Sequence, residues 1–168
     1  ISQLGAGNLD IINDGSIIAD ASTLIVDVNN SLENNGLIEV LNTGSLTVRG
    51  AEFDNTQGTF TVKDTSTAFI EDSTVLNGGS SLTIDDAGTI HLRNSTVDGG
   101  RLDAGNGELR VAGISTSTNF TERRALGNTV VLNNVELDGK LTVNNNTQRA
   151  VNNPNDVNLV LSGGELTN

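Results

Sequence analysis

The sequence has no cysteine, methionine, tryptophan or tyrosine, one proline, one histidine and four phenylalanines in 168 residues. Without cysteine there is neither a disulfide framework nor a thiolate metal site, and nothing marks a redox compartment. Without Trp or Tyr, the aromatic platform common in sugar-binding clefts is missing. Any His-dependent relay would have to pass through His91, and one exposed histidine in a strand does not make a Ser-His-Asp arrangement. No segment resembles a signal peptide or a transmembrane span. Basic residues are also scarce: 9 Lys and Arg stand against 21 Asp and Glu, a net charge of −12. That balance argues against nucleic acid and anionic membrane as partners, because the counterion-release term has the wrong sign. The imbalance is concentrated in residues 1–100, which hold 14 acidic and 3 basic side chains, against 7 and 6 in residues 101–168. The lack of Met, with an Ile start already in pattern, suggests a piece of a longer precursor.

What the sequence does have is a period. Gly36-Leu37-Ile38-Glu39-Val40, Gly58-Thr59-Phe60-Thr61-Val62, Gly79-Ser80-Ser81-Leu82-Thr83-Ile84, Gly100-Arg101-Leu102-Asp103-Ala104 and Gly139-Lys140-Leu141-Thr142-Val143 follow one pattern, with most spacings near 21–22 residues. Alternation with period two inside a repeat of this length signals a stacked coil. Each segment is too short to pair with a sequence-adjacent hairpin partner, so its partner is the equivalent strand one turn away, about 4.8 Å distant.

Three strands fit in each turn. A first strand gives Ile17, Ile38, Phe60, Leu82, Leu102, Phe120 and Leu141. A second gives Leu24/Val26, Leu46/Val48, Ala68/Ile70, Ile90/Leu92, Leu109/Val111, Val130/Leu132 and Leu159/Leu161. A third gives Leu32, Phe53, Val75, Val97, Ile114, Leu137 and Leu166. The expectation is an all-β fold, a single-stranded parallel β-helix of about seven coils in one segment over 1–168. Residues 112–129 are read as a degenerate coil, and 144–156, which holds Pro154, as a protruding loop. Corners such as Asn13-Asp14-Gly15, Asn34-Asn35-Gly36 and Asn77-Gly78-Gly79 suit left-handed backbone. Asn columns there are expected to hydrogen-bond up the stack.

The series NG-[LIF]-x-V, G-[ST]-[LI]-[TH]-[VL] and [ST]-T-V-x-G-G resembles the secreted bacterial right-handed parallel β-helix of autotransporter passengers and two-partner-secretion adhesins. The likeness covers essentially the whole chain and rests on repeat grammar. It implies a secreted or cell-surface location and a role in adhesion, spacing or occasional glycan processing, with a host or bacterial surface protein or glycan as partner. It transfers no active-site residue. The Gly-rich calcium nonapeptide of other β-rolls is missing.

Outward positions of the second strand carry the chemistry. Asp27, Arg49, Glu71 and Arg93 are spaced 22 apart and predict a charge ladder. Beside it runs Ile25, Thr47, Phe69, His91, Arg110, Val131 and Val160, whose Phe69, His91 and Arg110 form a candidate partner-binding strip. At the bend after the first strand, Asp64 and Asp86 fall one coil apart, and Ca²⁺ would relieve their repulsion. The leading expectation is a non-enzymatic adhesin rod or spacer without a cofactor. A carbohydrate-active β-helix is the alternative, and self-association through end strands a third.

Overall fold

The computed structural model describes residues 1–5, 7–112, 129–144 and 158–163, which form three parallel sheets and no helix. Sheet A stacks Ser2–Leu4, Thr23–Asp27, Ser45–Arg49, Thr67–Glu71, Thr89–Arg93, Glu108–Ala112 and Leu141–Asn144. Sheet B stacks Ile11–Asn13, Ser31–Asn34, Glu52–Asp54, Thr74–Leu76, Thr96–Asp98, Thr129–Asn133 and Asn158–Ser162. Sheet C stacks Ser16–Asp20, Leu37–Leu41, Thr59–Val62, Ser81–Ile84, Arg101–Asp103 and Glu136–Asp138. The chain visits A, B and C in unvarying order, so the hydrogen-bonding neighbours of each strand are its equivalents one turn away. This is a parallel β-solenoid.

Register lines up like with like. Leu46, Ala68, Ile90 and Leu109 share a column on sheet A. Leu32, Phe53, Val75 and Val97 share one on sheet B, and Ile38, Phe60, Leu82 and Leu102 one on sheet C. All twelve are buried. The core is therefore a narrow aliphatic column, widened in one layer where Phe53 and Phe60 meet with ring centroids 5.8 Å apart.

Among the described residues, five turns, four of 22 residues and a fifth of 19, run from Ser2–Leu4 to Glu108–Ala112, against the expected seven, and Leu141–Asn144 adds a further rung to sheet A. The expected columns also shift beyond Ala112. Val97 pairs directly with Leu132, Leu102 with Leu137, and Leu109 with Leu141. The degenerate coil expected at 112–129 falls on residues 113–128, which lie outside the described residues. Val130/Leu132 and Leu159/Leu161 belong to sheet B, Leu137 to sheet C and Leu141 to sheet A. A spacing of 21 residues from Leu109 to Val130 imitates a full turn by coincidence. The described strand ending at Ala112 belongs to sheet A, and the next described strand, beginning at Thr129, belongs to sheet B. Phe120, Ile114, Leu166 and most of 144–156 lie outside the described residues.

The corner between sheets B and C holds the most demanding local structure. Asn13, Asn34, Asn55 and Asn77 are buried there, one per turn. Each Nδ2 donates to the Oδ1 of the next: Asn13 to Asn34 at 2.7 Å, Asn34 to Asn55 at 2.8 Å, and Asn55 to Asn77 at 2.9 Å. The second amide proton goes to a backbone carbonyl, for example Leu37 at 3.0 Å from Asn13 and Thr59 at 3.2 Å from Asn34. An amide carries donors and an acceptor at once, so it can continue such a chain indefinitely. Glycine follows the ladder closely: a Cβ on Gly58 would lie 2.2 Å from Asn34 Nδ2, and one on Gly100 2.0 Å from the Asn77 carbonyl. The ladder ends at Asn77 because its equivalent one turn on is Gly99, which has φ 73°.

Asn55→Ala removes the donor to the buried Asn77 Oδ1 and the acceptor of Asn34. It should lower stability by about 1–3 kcal/mol, read as a reduced urea midpoint. Asn35→Ala, one residue after the ladder and exposed, should change it by no more than about 0.5 kcal/mol.

Candidate functional site on sheet A

Sheet A has the broadest face, because most of its strands run five residues with the pattern out, in, out, in, out. Its middle outward column brings Phe69 and His91 side by side and places Arg110 next. The strip expected from spacing is thus assembled, but Val131 and Val160 are not part of it. They stack in sheet B beyond Thr96, and Thr142 follows Arg110 instead.

The Phe69 and His91 rings stack with centroids 4.8 Å apart and planes 23° from parallel. The Arg93 guanidinium carbon lies 4.4 Å from the Phe69 ring centroid, a cation–π contact. Burial, then the charges of Arg93 and Arg110, push the His91 pKa down from 6.5 to about 4, opposed only by Glu108. His91 is therefore a neutral ring near pH 7 and serves as part of an aromatic stack. Its Nδ1 has no hydrogen-bond partner.

The adjacent outward column is the charge ladder, and it resolves into two pairs. Arg49 reaches Asp27 at 3.2 Å, and Arg93 reaches Glu71 at 2.5 Å. Among the described residues no ion pair links Arg49 to Glu71. The second pair is the more enclosed, with side chains 18% and 13% exposed against 42% and 33% for the first. Exposed pairs of the first kind contribute roughly 0–1 kcal/mol.

Spacing gave no hint of Glu108. Its carboxylate receives Arg110 at 2.5 Å and Lys140 at 2.9 Å, together with a short hydrogen bond from the Thr142 hydroxyl. The Thr142 bond first, then those from Lys140 and Arg110, hold its pKa at about 2 against an ordinary 4.5. The signal was hidden because Lys140 and Thr142 come beside Glu108 only through the long turn that pairs Leu109 with Leu141.

Asp64 and Asp86 stand at the corner from sheet C to sheet A with φ 54° and 55°. Asp64 Oδ2 accepts the Asn42 backbone N–H at 3.1 Å, and Asn42 Nδ2 donates to Asp20 at 2.8 Å. These side chains tie successive corners together. No group of three His, Asp or Glu side chains suited to a metal ion converges among the described residues.

A shallow polar groove of about 320 Å³ lies at the corner from sheet A to sheet B, lined among others by Asp72, Asn94, Thr74 and Thr96. Asn94 Nδ2 donates to Asp72 at 2.6 Å across its floor. It holds one carboxylate, whereas glycoside hydrolysis in its usual form uses two.

Comparison with known proteins finds no matching family model, no matching curated protein and no matching solved structure. The likeness to autotransporter-type solenoids rests on the repeat pattern.

The two shifted groups give pH signatures. Between pH 4 and 6.5 the unfolded chain binds a proton at position 91 that the folded chain does not. Stability is full above pH 6.5 and falls as the pH drops toward 4. In urea titrations, His91→Phe should flatten that limb. Glu108 contributes stability above its ordinary 4.5, lost as the pH falls toward about 2. Glu108→Gln should be less stable than wild type at pH 7, with the gap closing in strong acid.

Proposed function

We propose that this chain is a non-enzymatic rod or spacer segment of an extracellular β-solenoid protein, contributing to attachment or surface structure. The supporting observation is the uninterrupted register: equivalent strands of five successive turns pair in parallel, and a buried Asn ladder runs up the first four turns. Such a stack fixes distance and orientation between whatever lies at its two ends. Carboxylates on its faces hold neighbouring coils together: Glu71 with Arg93, Glu108 with Lys140, and Asp64 with the Asn42 amide. The partner in this reading is a surface protein or glycan.

The reading makes function depend on length and not on a single side chain. In the parent protein displayed on cells, deleting one whole coil, residues 45–66, should leave a folded solenoid with surface attachment shortened in reach but retained. Glu71→Gln should leave attachment unchanged. Release of products from a panel of bacterial polysaccharides, lost on replacing one carboxylate, would instead establish the carbohydrate-active alternative.

A further inference from the structure

The charge ladder on sheet A has a symmetry that its internal pairing does not require. Asp27, Arg49, Glu71 and Arg93 occupy four successive rungs as negative, positive, negative, positive. A two-fold axis parallel to the strands, passing between the rungs of Arg49 and Glu71, would lay two copies of this face against each other with coil order reversed. Asp27 then faces Arg93 of the other copy, and Arg49 faces Glu71. Every charge meets its opposite, and the axial dipoles of the two internal pairs become antiparallel.

The neighbouring column obeys the same operator in size. Its rungs read Ile25, Thr47, Phe69, His91, so Phe69 of one copy meets Thr47 of the other and His91 meets Ile25. Each ring of the stack thus lies across from a smaller side chain. One rung further, Arg110 falls opposite Gln3, which pairs with Ile25 in the chain. No like charges are opposed.

The other faces repel a second copy. Strands of sheet B carry Glu33, Glu52, Asp54 and Asp98 with no Lys or Arg among the described residues. Those of sheet C carry Asp20, Glu39, Asp103, Glu136 and Asp138 against Arg101, with Lys63, just past Thr59–Val62, paired to Glu39. Sheet A balances Asp27, Glu71 and Glu108 with Arg49, Arg93 and Arg110. On a chain of net charge −12 it is the electrically neutral face.

We infer that the outward face of sheet A is an isologous interface, on which a second copy of this chain packs antiparallel about a two-fold axis between the Arg49 and Glu71 rungs. Four rungs about 4.8 Å apart and five residues wide cover on the order of 300–400 Å² per copy, so the dimer is weak and weakens further with salt. The inference is independent of the rod reading: an enzyme could dimerise this way, and a rod could remain single.

The test uses sedimentation equilibrium of the chain over micromolar to millimolar concentration at low and high salt. Wild type should dimerise, and less so at high salt. Asp27→Arg/Arg49→Asp keeps the internal pair but turns the ladder into positive, negative, negative, positive. Every cross-interface contact then becomes like on like, and dimerisation should weaken about tenfold or more. Adding Glu71→Arg/Arg93→Glu restores alternation and should restore the dimer. Unfolding curves check that each variant folds, and Glu52→Gln on sheet B should leave dimerisation unchanged. A wild-type chain monomeric throughout, a dimer untouched by the double swap, or a quadruple variant no better than the double would each overturn the interface.

Discussion

Strands of three to five residues cannot satisfy their own backbone hydrogen bonds, and in this chain each can do so only against its equivalent one turn away. That requirement makes register the controlling variable. A slip by one residue would turn every inward side chain outward, exposing Val48, Ile70 and Leu92 and burying Arg49, Glu71 and Arg93. The corner devices therefore act against slippage as much as for stability. Buried Asn side chains demand a partner amide at the same height, and a missed rung leaves a desolvated donor or acceptor. Asp64 and Asn42 impose the same condition at another corner from the solvent side.

Economy of composition follows from the same constraint. A column three side chains wide needs little apolar volume, so a hydrophobic fraction of 35% suffices. Two phenylalanines fill one layer of it, and a third leaves the core for the surface of sheet A. There Phe69 stacks on His91 and lies under Arg93, so three unlike side chains form one unit. Neutral His91 belongs to that unit, whereas a charged imidazole beside two guanidinium groups would oppose it. Ring, cation and carboxylate on this face are consequences of column neighbours choosing one another.

Much of the fold could be read from the chain, because its apolar pattern and turn residues both repeat. Leu32 to Val97 and Ile38 to Leu102 are assigned by counting, and the Asp27, Arg49, Glu71, Arg93 series and the Phe69, His91, Arg110 strip come from the same counting. Counting failed where a connection had nearly the length of a turn. From Leu109 to Val130 the interval and the apolar doublet both fit, yet the partner of Leu109 is Leu141. Local pattern cannot tell which later strand completes a ladder. Glu108 was missed for this reason. At Asp64 the spacing found the carboxylate column but not its hydrogen bond from the Asn42 backbone amide, which depends on the corner's local backbone.

The Asn ladder divides the solenoid mechanically. From Asn13 to Asn77 consecutive coils are stitched by a buried amide as well as by their sheets, and beyond Gly99 no buried Asn continues that stitch among the described residues. A load pulling the two ends apart would meet unequal resistance along its path. Coils on the far side of Gly99 would peel first, one rung at a time, while the stitched portion held its length. The position of one glycine thus sets where the stack yields and how much of it survives the first rupture.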